Sequence, residues 1–289
     1  MTTTLKLADK ETRSETIRAF LDEKLDALIT KATDESTLGW WKNILRLAGS
    51  FYRYSFNNLC LIYSQIEHPT FVAGAHAWNE KYGRLIAKGS KACWILAPMI
   101  VKKEDKKTGQ EKKALIGFRT VPVFDFSQTV PMGEDAFQDP NSYLKASGDA
   151  TVLLAKLEAF VASKGWTLEY AEKIPGSARG FSAGKRIVVL AGLGPADRAK
   201  ILAHEIGHEL LHWVDGKLEA DHSKSWKETE AESVAYAICQ AFGVDSNSEL
   251  YLNAWAATKE IVKASTTRIF GAVREVLTFA HDEQPAEAE

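Results

Sequence analysis

The chain has 289 residues, 45% hydrophobic and 26% charged, an ordinary globular mix long enough for two domains. Its 36 basic and 38 acidic residues give a formal charge of −2, which excludes a polybasic or acidic character for the chain as a whole. Three widely spaced cysteines, Cys60, Cys93 and Cys239, exclude a disulfide framework and a cysteine-type zinc module, and they suit a reducing compartment.

The first residues, MTTTLKLADKETRSE, carry no apolar region of the secretory type, and no apolar stretch is long enough to span a bilayer. The expectation is a cytoplasmic protein with no membrane partner. Ile17, Phe20, Leu21, Leu25 and Leu28 recur at helical spacing, which predicts a helix over 12–31. Ser36 or Thr37 caps a second predicted helix through Leu47, broken at Gly49-Ser50. A third is predicted from Asn57 to Ile66, stopped by His68-Pro69, and a short one over 72–82, ended by Gly83.

The period then changes. ACWILAPMIV and ALIGFRTVPVF read as two strands of a hairpin whose charged tip is KKEDKKTGQEKK. Pro131, Gly133, Asp139 and Pro140 mark a linker across 131–145. Beyond it, an amphipathic helix runs from Asp149 to Lys164 and ends at Gly165. WTLEYAE and KRIVVL are strand candidates. Pro195 opens a helix that carries HEIGHELLHW, another covers Trp226 to Phe242, and two more are expected near 248–264 and 267–281. These elements predict an α+β protein of two domains. Residues 1–130 form a helical and β-hairpin domain, 146–282 a second domain, and 283–289 an acidic tail.

Charge is distributed unevenly between them. Trp41 to Asp125 holds 14 basic and 6 acidic residues, whereas 141–289 holds 16 and 21. Aromatic residues interleave with the basic ones, as in a groove that binds single-stranded nucleic acid through phosphate contacts and base stacking. The candidate contacts are Arg46, Arg53, Tyr54, Asn57, Asn58, Trp78, Arg84, Lys88 and Lys91. The same density of aromatics also serves as core.

The sharpest chemical signal is His204-Glu205-Ile206-Gly207-His208. On a helix the two imidazoles lie one turn apart on one face and reach one zinc, while Glu205 meets water there as general base. His212 lies about 12 Å from His204 along the axis, too far to share the ion. His222 sits in an expected loop. Glu228, twenty residues after His208, is the better third ligand, and Glu232, one turn on, is placed to orient a histidine. Glu230 points about 160° away from Glu228 and is expected to face solvent. This spacing resembles the gluzincin metallopeptidases. The resemblance implies a peptidase in which zinc, or another divalent ion such as manganese, acidifies water and Glu205 carries the proton to the leaving amine. KRIVVL is then expected to pair with an extended peptide. Tyr170, His222 and Tyr251 are candidates to stabilise the oxyanion.

Several stretches resemble the ArdC-type plasmid anti-restriction proteins. They are Ser55-Phe56-Asn57-Asn58, Trp78 with Gly83-Arg84, Lys88-Gly89-Ser90-Lys91, and the run from Val123 to Thr129. In the second domain Glu228-Thr229-Glu230-Ala231-Glu232 matches the family's E-x-x-A-E, beside the histidine motif. The resemblance covers roughly residues 40 to 245. It implies an N-terminal domain that binds single-stranded DNA, a zincin-like second domain, and protection of incoming plasmid DNA during conjugation. On this reading the peptidase site is either active on a DNA-associated protein or retained for structure. Two rivals stand beside this reading. One is a cytoplasmic zinc metallopeptidase whose N-terminal domain holds protein substrate, and the other a binding module whose zinc is structural.

Overall fold

The computed structural model describes residues 51–66, 69–104, 111–138, 149–176, 178–214, 216–244 and 259–281, together with Glu23, Lys42, Leu45, Arg46, Ala48 and Gly49. The helix expected over 12–31, the hairpin tip at 105–110 and Tyr251 lie outside them, apart from Glu23, which is helical. The fold is α+β and groups into two compact units, one around residues 57–140 and one around 31–56 and 141–286. Among the described residues, no helix is long and apolar enough to cross a membrane.

The first unit runs α1 (Phe56–Gln65), β1 (Val72–Ala73), α2 (Ala75–Glu80), β2 (Arg84–Ile86), β3 (Cys93–Glu104), β4 (Glu111–Asp125), a 3₁₀ turn (Phe126–Gln128) and β5 (Thr129–Pro131). β3 and β4 form the expected hairpin, with strands that extend into the charged run, and β1 adds to β4 to give the order β1-β4-β3. The outer edge of β3 is closed by side chains of α1. Asn58 donates to and accepts from Leu96, and Gln65 does the same with Trp94, all four bonds at 2.9 Å. These amides stand in for a neighbouring strand and blunt the edge. The core is aromatic, with Trp78 and Tyr82 packed among Phe71, Phe124, Phe126 and Phe137. Residues 130–137, where a linker was expected to open, close this unit. Val130 pairs with Leu85 and Phe137 packs on Tyr82.

The second unit runs α3 (Ala150–Ser163), β6 (Thr167–Ala171), β7 (Gly180–Ser182), β8 (Arg186–Leu190), α4 (Pro195–His212), the short pair β9 (Trp213–Val214) and β10 (Lys217–Leu218), α5 (Lys224–Ala241) and α6 (Lys259–Ala280). Asp149 caps α3 by accepting from the Thr151 amide at 2.8 Å, and Gly165, at φ 66°, ends it in the left-handed region that glycine tolerates. β6 pairs parallel and β7 antiparallel with β8, so KRIVVL is the central strand. Ile187, Val188 and Val189 are buried in succession, the mark of a strand covered on both faces. The stretch between the two strand candidates contains a third, the edge strand β7.

Two helix boundaries differ from expectation for the same reason. Gly49 is helical, and a Cβ there would stand 2.8 Å from Ala237 O, so its glycine serves close packing on α5. α6 runs straight through Ser265 and Thr266, where two helices were expected to meet. Both are buried, and tertiary packing overrides their weak helix propensity.

Candidate metal centre

Two helices build the centre. α4 begins with Pro195 in its first turn, where its missing amide leaves no bond unmade. α5 begins at Ser223, whose hydroxyl accepts from the Trp226 amide at 3.2 Å. His204 Nε2 and His208 Nε2, one turn apart on α4, lie 3.1 Å from each other. Glu228 of α5 enters between them, its Oε2 3.3 Å from the first and 3.7 Å from the second. These are the metal-capable atoms the spacing predicted, all within 4.8 Å of one another. Ligands about 2.0–2.1 Å from a tetrahedral ion stand roughly 3.3 Å apart, so a donor set of two imidazoles and a carboxylate at these spacings fits one divalent cation.

The surrounding groups hold this set in place. Glu232, expected to orient a histidine, has its Oε2 3.1 Å from His204 Nδ1, and His204 Nε2 faces Glu228. Lys200 Nζ stands 3.4 Å from the other Glu232 oxygen. Glu209, buried one residue past His208, accepts from the Lys185 amide at 2.7 Å and fixes the β7–β8 turn to α4.

Charge follows geometry. Burial opposes a charge on His204, but the hydrogen bonds it donates to Glu228 and Glu232, together with the nearby Glu205, outweigh it and raise the imidazole to about 10. Burial likewise works against ionised Glu228, yet the His204 and His208 imidazoles that face it hold its carboxyl well below the ordinary range. Burial lowers His208, against the pull of Glu228. Glu205 is pushed up to about 7, first by burial and then by the charges of Glu228 and Glu209, against the opposite pull of His204. A carboxyl poised near neutrality is what a general base that later acts as acid requires.

The centre opens on a cleft of about 730 Å³ lined by Arg179, Phe181, Ile201, Trp213, Lys224 and Lys227 among others. β7 crosses it. A Cβ at Gly180 would stand 3.1 Å from Glu205 Oε1 and 2.5 Å from an Ile201 methyl, so the strand passes this close only because residue 180 has no side chain. Among the described residues nothing pairs with the outer edge of β7. KRIVVL, expected to offer an edge to a peptide, cannot do so, because both its edges are taken by β6 and β7.

Two expectations are corrected here. Glu230 is not solvent-facing. It is 0% exposed, because α5 is packed on more than one side, and it lies 2.8 Å from His212. His212 is outside the three-ligand set, as its axial distance required, but its Nδ1 lies 2.9 Å from His208 Nδ1. Neither Tyr170 nor His222 lines the cleft. Tyr170 bonds Glu158, and His222 packs on Trp226 with ring centres 4.7 Å apart.

The predicted nucleic-acid contacts scatter. Arg46, Arg53 and Tyr54 group with the second unit and the other six with the first. Trp78 is 0% exposed and donates to Phe124 O at 2.9 Å. Arg84 is buried, donating to Thr129 Oγ1 and Phe137 O, both at 2.7 Å, and lying over the Phe126 ring. Asn58 spends its amide on β3. These three side chains are enclosed, so none offers a face or a donor to a ligand; each holds the unit together. Asn57, Lys88 and Lys91 are exposed. The exposed aromatics of this unit that composition did not single out are Trp94, 50% exposed, and Phe118, 54% exposed, on one face of the β3–β4 ribbon.

No protein-family model matches the chain, and no curated protein sequence matches it. The chain's structural neighbours include two structures of the antirestriction protein ArdC from plasmid R388. The metal-free structure is 20% identical with a TM-score of 0.41, and the Mn(II)-bound structure 18% identical with a TM-score of 0.40. Each comparison covers 80% of this chain and 86% of the other.

Proposed function

We propose that the second unit is a metal-dependent peptidase-type hydrolase and that the chain acts as an anti-restriction protein binding single-stranded DNA through its first unit. The observation that carries the hydrolase reading is the meeting of His204, His208 and Glu228 beside Glu205 in an open cleft. Among the described residues three protein groups converge, which leaves a position for substrate, where a structural zinc site closes with four. A divalent ion held there supplies Lewis acidity to a scissile carbonyl and to water.

The protein's own groups do the rest. Glu205 accepts a proton from the attacking water and returns it to the leaving amine. Glu232 keeps His204 aimed. The outer edge of β7 offers backbone groups to an extended peptide, which would lie as an added strand across Glu205. Peptide cleavage by the zinc-loaded protein tests this. Glu205→Gln is expected to keep the metal and lose about 10²–10⁴-fold in rate. Equal rates would overturn the role of Glu205.

The DNA reading rests on the motif resemblance and is favoured by the exposure of Trp94 and Phe118 on one face of the β3–β4 ribbon and by the exposed Lys88 and Lys91, which precede β3 in sequence. Fluorescence anisotropy with a labelled single-stranded oligonucleotide tests it. Binding that weakens with salt and resists duplex competitor is expected, and Trp94→Ala is expected to weaken it. No binding at low salt would leave a metallopeptidase whose first unit holds a protein.

A further inference from the structure

Behind the ligand His208 stands a chain of buried polar groups that the three-ligand centre does not use. His208 Nδ1 lies 2.9 Å from His212 Nδ1. His212 Nε2 lies 2.8 Å from Glu230 Oε2. His212 and Glu230 are both 0% exposed. Arg268 of α6 stands over the far end, its Nε 3.8 Å from Glu230 Oε1. Its Nη2 donates to Leu211 O and to Glu219 Oε2, the latter at 2.9 Å. The chain therefore crosses from α4 to α5 to α6.

Hydrogen-bond direction along it is determined by its far end. Glu230 is a carboxylate and only accepts, so His212 carries its proton on Nε2 and donates there. That leaves His212 Nδ1 as an acceptor. Among the described residues, the group at hydrogen-bond distance from it is His208 Nδ1, which must carry a proton and donate. His208 is then left with a bare Nε2, the atom that faces His204 and Glu228. His204 receives the same service from a carboxylate directly, through Glu232. His208 receives it at one remove, through a second imidazole.

We infer that His212 and Glu230 are positioning residues that fix the tautomer and ring orientation of His208 for metal binding, with Arg268 anchoring the carboxylate. The inference rests on the reading of His204, His208 and Glu228 as metal ligands. It makes a second-layer partner out of a histidine that lies too far along the helix to be a ligand itself. It also gives the buried Glu230 carboxylate a partner, since a carboxylate enclosed unpaired is costly.

The test uses the full chain and Zn²⁺ alone, with affinity measured by chelator competition. His212→Phe keeps the ring's bulk and removes the acceptor, and it is expected to weaken Zn²⁺ binding about 10–100-fold. His212→Gln accepts from His208 and donates to Glu230, so it is expected to restore binding to within about threefold of wild type, by the same donor–acceptor logic. A purely structural role would lower the melting temperature of the metal-free protein without this split between Phe and Gln. Nitrogen-15 histidine spectra of the metal-depleted wild type give an independent readout: the proton of His208 is expected on Nδ1. A wild-type His208 protonated on Nε2 alone overturns the inference even if His212→Phe fails to fold. So does a folded His212→Phe protein that binds Zn²⁺ like the wild type. Failure of the wild type to bind Zn²⁺ at all is the separate failure of the metal centre.

Discussion

Gly207 of α4 faces Ala231 of α5 so closely that a Cβ at position 207 would stand 3.1 Å from Ala231 Cα and 3.3 Å from its carbonyl oxygen. The contact lies between the two histidines of α4, and it sets the approach that lets Glu228 reach both. Gly207→Ala forces the helices apart and is expected to destabilise the metal-free protein by about 1–3 kcal/mol, despite the better helix propensity of alanine. Urea unfolding measures this, and Zn²⁺ affinity is expected to fall with it. An unchanged midpoint would mean that the helix pair yields at no cost.

Asp125 is the polar hub of the first unit. Fully buried, it accepts from the Thr70 amide at 2.7 Å, the Phe71 amide at 3.1 Å, the Ser127 amide at 3.0 Å and the Ser127 hydroxyl at 2.7 Å. Asp125→Ala strands several of these donors and is expected to cost about 3 kcal/mol or more. A loss below about 1 kcal/mol, in the range of a surface substitution, would contradict this account.

Cys60, Cys93 and Cys239 are buried, and burial pushes each thiol up to about 12. Thiolate is the reactive form, so all three are expected to resist a disulfide reagent at pH 8 in the folded protein and to react together once unfolded. Rapid labelling of a native thiol would show that the enclosing packing opens.

The buried Glu205 gives a pH signature to the metal-free protein. Its folded value, about 7, lies above the ordinary 4.5, so the folded chain holds a proton that the unfolded chain releases. Its contribution to stability is intact below 4.5 and is lost as pH rises through about 7. Glu205→Gln removes that dependence. In melting experiments with chelator present, the variant is expected to gain on the wild type between pH 5.5 and pH 8. Parallel curves would contradict the raised value.

The closeness of His204 and His208 was legible because it is local: four residues on one helix fix their relative direction. Glu228 and Glu232 were legible by the same rule, once a second helix was granted. Glu230 was misplaced because its angle from Glu228 says nothing about what packs on its side of α5. Pairing His212 with Glu230 needs the mutual phase of two helices eighteen residues apart in sequence, which no local period encodes. Trp78 and Arg84 looked like binding residues because basic and aromatic composition reads alike in a groove and in an aromatic core. β7 was hidden by its length of three residues and by a glycine retained for close approach to Glu205.

The most direct test of the proposed centre is Zn²⁺ titration of the metal-depleted protein followed by X-ray absorption at the zinc edge. The account predicts one equivalent, bound through two imidazole nitrogens about 2.0–2.1 Å away and carboxylate or water oxygen, with no sulfur. Glu228→Ala should weaken binding and alter the oxygen shell. Absence of saturable binding, or a wild-type spectrum unchanged by His204→Ala, would contradict it.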